Sequence, residues 1–275
     1  MEQELIMFDV LLPAFNAQST IRRTLDSINN QKYRPKKIVI IINGCKDQTM
    51  EIVDDFSFQT DITIKKIFYK KNVGLVNALN AGLNCCESEW VARIDADDYW
   101  LESHLENIRV SILGANKDLS LVAGTAIIKD GNRSIVSAGA LNHFQLKRAL
   151  IRDNPIVHSS VVYRLESVKS VGMYNHCSIF EDYHLWIRLL SKYSGHIIKS
   201  DMCVHERNEF SMTANIHRSY SINERFKNQL SAFMLFDMTD IKTIIYLILS
   251  FFRVVVSISR GSIYVSDNPK VDTSP

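Results

Sequence analysis

Three carboxylates, Asp95, Asp97 and Asp98, crowd into the stretch EWVARIDADDYW directly after an apolar segment. In an extended chain Asp95 and Asp97 project to the same side. Carboxylates that close repel each other unless water or a cation intervenes. A solvated acidic turn leading into the next helix is the plain alternative. A second acidic pair, Glu181-Asp182, stands at the start of FEDYHLWIRLLSKYSG. There Leu185, Trp186, Leu189, Leu190 and Tyr193 form an apolar stripe at helical spacing, and Gly195 is a candidate helix stop. Acids at a helix start complement its dipole, which is the plain reading of this pair.

The chain that must position these groups has 275 residues, 46% hydrophobic and 23% charged, enough for one large domain or two small ones. A net charge of +2 carries no basic excess and argues against a nucleic-acid partner. Five cysteines without a CxxC pair suit reduced thiols in a cytoplasmic protein, not a disulfide framework or a zinc site. The opening MEQELIMFDVLLPAF carries acids where a signal peptide carries positive charge, and it reads as a first strand.

Strand and helix signals alternate through the first hundred residues. MFDVLLP is a buried strand ending at Pro13, and STIRRTLDSINNQ is an amphipathic helix that Ser19 could cap. KKIVIIING is a second buried strand closed by Asn43-Gly44, followed by a helix near QTMEIVDDF and the strand ITIKKIFYK. The helix VGLVNALNAGLNCC and the strand EWVARID complete this half. Such alternation implies an α/β fold, a mostly parallel Rossmann-like sheet with helices on both faces. Ligands of such sheets bind beyond the carboxyl ends of the strands. Pro13-Ala14-Phe15-Asn16, Asn43-Gly44 and the Asp95 group all fall at those ends, so three polar sites converge on one edge. Further on come a helix around ESHLENIRVSILGAN and short strands in SLVAGTAIIKDGN with a turn at Asp130-Gly131. The helix HFQLKRALIRD and the strand SSVVYRL follow.

In this order the segments resemble the inverting nucleotide-sugar glycosyltransferases of family 2, which have the GT-A fold. The resemblance spans roughly residues 6 to 213. It rests on VLLPAFNAQSTIRRTLDSINNQKYRPKKIVIIINGCKDQT, on NVGLVNALNAGLNCCESEWVARIDADDYW, and on NPIVHSSVVYR, VGMYN and EDYHLWIRL. It implies a metal-dependent enzyme moving a hexose from a nucleoside-diphosphate sugar, UDP-linked by expectation, onto a saccharide acceptor. The nearest likeness is to bacterial enzymes that build lipid-linked surface polysaccharides, which implies a polyprenyl-diphosphate-linked O-antigen or capsule intermediate as acceptor. By the same resemblance Asp97 ligates Mg²⁺ or Mn²⁺, while Asp95 holds the ribose or a metal-bound water. Pro13, Phe15, Asn16, Asn43, Asn72 and Gly74 line the nucleotide sugar. Asp182 is the general base with Glu181 beside it, and His158, Asp98 and Tyr183 face the acceptor.

The chain also departs from the family pattern. Ile42-Asn43 stands where many members carry two acids, which leaves the base that is read open, although an amide can pair with a pyrimidine edge. Arg207-Asn208-Glu209 lacks the His expected two residues after the Arg, with His205 and His217 nearby. Arg93 is read first as a structural ion pair with Asp95, and Trp186 as core. A nucleotidyltransferase would carry a Gly-rich basic loop after the first strand, and PAFNAQST has neither feature. A non-catalytic sugar- or nucleotide-binding relative is the other alternative.

The expected layout is a catalytic domain over 1–215, divided near 98 into a nucleotide half and an acceptor half, and a helical tail over 216–275. Within the tail IKTIIYLILSFFRVVVSIS is apolar almost all round but interrupted by Arg253. It could be a buried helix, an oligomer contact or an interfacial helix. The basic bias of residues 218–260, with the lipid-linked acceptor that the resemblance implies, favours the last, a peripheral contact with the cytoplasmic face of the inner membrane. The closing SDNPKVDTSP reads as disordered.

Overall fold

A computed structural model describes residues 5–130, 133–137, 139–176, 180–207, 218–236 and 241–261. Strands β1 (Phe8–Ala14) and β2 (Lys37–Asn43) are buried at every position, as strands covered on both faces must be. Strand β3 (Thr63–Tyr69) lies at the edge and exposes Lys65 and Lys66, which blunts the edge with charge. Strand β4 (Trp90–Arg93) pairs with the other side of β1. Helices α1 (Ile21–Asn29), α2 (Thr49–Gln59) and α3 (Leu75–Leu83) connect these strands, all of them parallel. The order β3-β2-β1-β4 reverses direction at β1, so the crevice between the ends of β1 and β4 is the ligand position of this topology.

Alternate residues of each strand feed two cores, one on each face. Leu11, Val39 and Ile41 pack on one side with α3, and Val10, Leu12, Ile38 and Ile40 on the other with α1 and α2. Asp9 is a buried carboxylate inside β1. It accepts from the Glu87 and Ser88 amides at 2.6 and 3.0 Å and from Ser88 Oγ at 2.7 Å, pinning the α3–β4 connection to the strand.

The second half mixes strand directions. After β5 (Tyr99–Trp100) and α4 (His104–Leu113) come β6 (Leu119–Asp130) and β7 (Arg133–Val136), antiparallel to each other. One strand of 12 residues thus stands where short strands were expected, and Asp130 pairs with Arg133 across the expected turn. Helix α5 (His143–Arg152), a 3-10 turn at His158–Ser160, β8 (Val161–Arg164), α6 (Leu165–Ser170), α7 (Glu181–Lys192) and β9 (Ser194–Arg207) follow. The pairing path continues β4-β8-β6-β9-β5. Since β4 and β5 are nearly consecutive in sequence yet lie at opposite ends of that path, the sheet curls around residues 94–98. This curl brings the end of β9 to the acidic cluster.

Two local expectations are corrected. Helix α1 begins after Thr20 with no side-chain cap, so Ser19 does not cap it. Gly195 does not stop α7; it lies in β9, where a Cβ would come within 2.6 Å of Leu190 and 3.0 Å of Leu121. Close packing of β9 on β6 and α7 requires glycine there. Helices α8 (Arg218–Phe236) and α9 (Ile241–Gly261) follow, and Ala232, Phe236 and Leu247 join the core that also holds α5 and α7. The expected boundary near 215, His217, Asn208 and Glu209, and the closing segment lie outside the described residues.

Candidate active site

The three aspartates that follow β4 meet in space as they do in sequence. One carboxylate oxygen from each of Asp95, Asp97 and Asp98 lies within 4.8 Å of the others. Each is held differently. Arg93, fully buried at the end of β4, forks both guanidinium nitrogens onto the two oxygens of Asp95. Burial opposes the arginine's charge, but Asp95 outweighs it, so Arg93 stays protonated. The expected ion pair is therefore present. Ser159 adds a bond from Oγ to Asp95 at 3.3 Å and accepts the Asp95 amide at 3.0 Å.

Asp98 is fully buried, and both its oxygens lie 3.0–3.1 Å from Nδ1 of His205, delivered by β9. Burial disfavours the imidazolium, yet the Asp98 bond and the charges of Asp98, Asp95 and Asp97 raise His205 overall. Asp98 is thus a buried member of the cluster whose two oxygens are committed to His205. Among the described residues no side chain is hydrogen-bonded to the Asp97 carboxylate. Burial and then the charges of Asp95 and Asp98 push its carboxyl up to about 6, against the pull of His205. Its backbone is fixed from α1, where Arg23 donates to the Asp97 carbonyl at 2.9 Å. Thr24 Oγ1 lies 2.6 Å from the Asp98 carbonyl and 3.0 Å from that of Ala96.

The loops beyond β1, β2 and β3 lock to one another beside this cluster. Pro13 lies within β1; Phe15 just beyond it is half exposed, and Asn16 has a positive φ of 48°. The Asn16 Oδ1 accepts from Lys46 N at 2.9 Å, binding the first loop to the second. Asn43 is buried, and its amide donates to Asn72 Oδ1 at 3.0 Å and accepts from Val73 N at 2.9 Å. Asn72 Oδ1 also accepts from Gly74 N at 2.8 Å at the start of α3. Asn43 is therefore committed first to holding the loop before α3. Gly44 completes this lock: a Cβ there would lie 2.3 Å from Asn72 N.

The second acidic pair opens α7. Asp182 accepts from Asn154 Nδ2 at 2.9 Å and from its neighbour's amide, Tyr183 N, at 2.6 Å. Glu181 lies 4.0 Å from Nδ1 of His158, whose Nε2 is 2.7 Å from the Tyr174 hydroxyl. Burial raises both carboxyls, Glu181 further because it also feels the charge of Asp182. Arg93 pulls both down and Asp95 pushes both up, so the pair lies within the field of the first cluster. Burial, then Arg93, keeps His158 neutral. The dipeptide His158-Ser159 physically joins the two acidic groups, His158 beside Glu181 and Ser159 on Asp95. Tyr183 and Trp186 are core. Tyr183 is buried and its hydroxyl donates to the Leu150 carbonyl, so packing against α5 takes it out of the acceptor set.

A family model described as Glycosyl transferase family 2 matches residues 9–172, more than half of the chain. The chain belongs to glycosyltransferase family 2. It is 29% identical over 189 residues to the amylovoran biosynthesis glycosyltransferase AmsE of Erwinia amylovora, covering 67% of this chain and 70% of that one. It is 28% identical over 189 residues to the UDP-Gal:alpha-D-GlcNAc-diphosphoundecaprenol beta-1,3-galactosyltransferase of Escherichia coli, covering 67% and 68%. Among solved structures it superposes on S. aureus TarS 1-349 in complex with UDP-GlcNAc with a TM-score of 0.72 at 18% identity, over 94% of this chain and 76% of that one. The mannosyltransferase PcManGT of Pyrobaculum calidifontis, in complex with GDP-Man and Mn²⁺, gives 0.64 at 18% identity, with the same coverage of 94% and 76%. These likenesses establish the GT-A fold and a kinship with bacterial surface-polysaccharide transferases.

Three residues of the candidate site escape a reading of sequence alone. Ser159 and Asn154 are small polar residues whose role exists only once β4, the 3-10 turn and α7 are assembled. Asp47 is the third. It accepts from Gln18 N at 3.0 Å and from Thr49 Oγ1 at 2.6 Å, and Thr49 in turn accepts from Ala17 N at 2.8 Å. Its position just before α2 was the available signal. Two open concavities of about 490 Å³ each, sharing His143 and His196, contain none of the acidic residues.

Proposed function

We propose that this transferase moves a hexose from a UDP-sugar, with inversion, onto the saccharide end of a lipid-linked diphosphate. The observation that carries this reading is the pairing of two acidic groups of unlike character in one electrostatic field. Asp97, with Asp95, would hold a Mg²⁺ or Mn²⁺ ion. The donor set fits a hard cation, being carboxylate oxygen throughout, and the raised Asp97 carboxyl is what a position awaiting positive charge displays. When bound, that cation supplies charge stabilisation to a departing diphosphate. Arg93 orients Asp95 through both of its oxygens, and His205 does the same for Asp98. Phe15, half exposed beside Asn16, offers a flat apolar surface to the nucleoside.

On the other side of the sugar Asp182 takes the proton of the attacking hydroxyl, leaving it on Oδ. The hydroxyl oxygen forms the new bond as the bond to the diphosphate breaks. A single base and no carboxylate nucleophile suit one displacement with inversion. Asn154 and the Tyr183 amide fix the Asp182 carboxylate, and neutral His158 beside Glu181 can accept or donate a bond to an acceptor hydroxyl. The test is a panel of nucleotide sugars, each with Mg²⁺, Mn²⁺ or chelator, read as nucleotide release with and without a lipid-diphosphate-linked sugar. Release only with one UDP-sugar, a divalent cation and the lipid-linked acceptor is the expected result. Turnover undiminished in excess chelator removes the metal role, and preference for another nucleotide removes the UDP assignment.

A further inference from the structure

Helix α9 is docked by one side only. Leu247 and Ser250 are buried, whereas Ile245, Ile248, Leu249, Phe251, Phe252, Val255 and Val256 are each 44–58% exposed. At 100° per residue those seven positions occupy a continuous arc of about 160°, an apolar face open along the helix. The helix spans 21 residues, and no helix among the described residues is long and apolar enough to cross a membrane. It contains three basic residues, Lys242, Arg253 and Arg260, and no acidic one. Spaced eleven and seven residues apart, these fall on one line of the helix beside the apolar arc.

We propose that this face of α9 lies on an anionic lipid bilayer, sunk to the depth of the headgroup boundary. Apolar width and a basic border are the two attractions such a surface needs. A second copy of the chain is the weaker occupant. A two-fold contact would set the same all-basic helix against itself, like charge against like. The helix is also tied to the acceptor side of the site. Tyr246 donates to the Arg152 carbonyl at 3.0 Å, as does Gln229 of α8 at 2.6 Å, and Arg225 pairs with Asp153 at 3.3 Å. The next residue is Asn154, which holds Asp182. Two hydrogen bonds and the three consecutive residues 152–154 therefore link α9 to the proposed base. This part of the inference rests on the proposed function, because it gives a lipid-linked acceptor its direction of entry.

The experiment is co-sedimentation of the full chain with phosphatidylcholine vesicles, with and without phosphatidylglycerol, in the absence of donor and acceptor. The unaltered protein should pellet with the anionic vesicles, and less so as salt shortens the Debye length from about 8 Å at 0.15 M. The double variant Leu249→Glu, Phe252→Glu alters exposed positions only. It should keep its circular dichroism while its partitioning falls by at least about tenfold, each large apolar side chain being worth on the order of a decade. A parent protein that stays in the supernatant, or a double variant that pellets equally, overturns the proposal. So does a parent that is dimeric by light scattering, becomes monomeric in the variant and ignores vesicles. Transfer to a water-soluble acceptor without vesicle binding sinks this inference alone. Vesicle binding without transfer from any nucleotide sugar supports it and sinks the functional reading alone.

Discussion

Asp95 has a buried arginine on both of its oxygens, and Asp98 has a histidine on both of its own. Asp182, in a comparably enclosed position, has an amide group and one backbone N–H. The first cluster sets a buried arginine against Asp95 and a histidine against Asp98, and leaves Asp97 with the raised carboxyl. The second meets its charge with neutral dipoles, which leaves burial the dominant influence and lifts both carboxyls. A raised carboxyl at Asp97 suits a position that a cation would hold ionised, while the same rise at Asp182, with no cation cluster around it, suits a group that must gain and lose a proton. The same residue type is thus set to two tasks by what surrounds it.

The comparison breaks most decisively at Asp97. Asp97→Ala should reduce transfer to background and abolish divalent-dependent nucleotide binding, with circular dichroism unchanged. Titration calorimetry with UDP and Mn²⁺ checks this, and retained binding would move the cation elsewhere. Asp182→Asn should separate from it cleanly. Loss of a general base costs about 10²–10⁴-fold in rate, about 3–5 kcal/mol at 1.36 kcal/mol per decade, yet nucleotide binding should persist. In the parent, transfer should fall as pH drops through about 6, the raised position of Asp182, because only the ionised form accepts a proton. A rate flat down to pH 5 would point to a different base.

These contrasts were unequally legible in the sequence. The parallel half was readable because its strands are continuous apolar runs ended by polar turns, and Asp95, Asp97 and Asp98 were adjacent by covalent geometry. The Arg93–Asp95 pair was also readable, two residues apart at a strand end. The site roles of Asn154 and Ser159 were not, since they arise from pairing β8 antiparallel to β4 and from seating α7 behind the 3-10 turn. His205 was named only as a neighbour of a missing histidine. Its bond to Asp98 depends on β9 reaching β5, a strand of two residues that no periodicity can announce. Tyr183 was misplaced because an aromatic beside an acidic pair looks the same whether it lines a groove or fills a core.

A smaller effect tests the raised pair through stability. Glu181 is 13% exposed and its carboxyl is lifted to about 8, above the ordinary 4.5 of a glutamate in an unfolded chain. A proton on it therefore favours the fold. That contribution is complete below 4.5 and is lost as pH rises toward the folded value. Glu181→Gln removes the dependence. The variant should match the parent near pH 4 and exceed it at pH 8–9 by on the order of 1 kcal/mol, or about 2–4 °C in Tm for a domain of this size. Thermal melts without metal or donor decide it, and a variant less stable at every pH would make Glu181 a structural partner of His158.

The smallest effect isolates Asn154, which acts on the reaction only through Asp182. Its amide donates to the ionised carboxylate at 2.9 Å and so opposes the upward push of burial. A hydrogen bond of about 1 kcal/mol corresponds to somewhat under one pKa unit. Asn154→Ala should therefore move the acidic limb of the pH–rate profile upward by about half a unit, with only a few-fold loss on the alkaline plateau. Asn154→Asp keeps the side-chain oxygen that accepts the Ile156 amide at 3.1 Å, so the turn survives, but sets a negative charge beside Asp182. It should shift the limb further up than alanine does. A purely structural asparagine would lower the rate at all pH values and leave the limb where it was, with aspartate the milder change. The order of the two shifts therefore tells whether the proton acceptor is tuned from residue 154 or merely located by it.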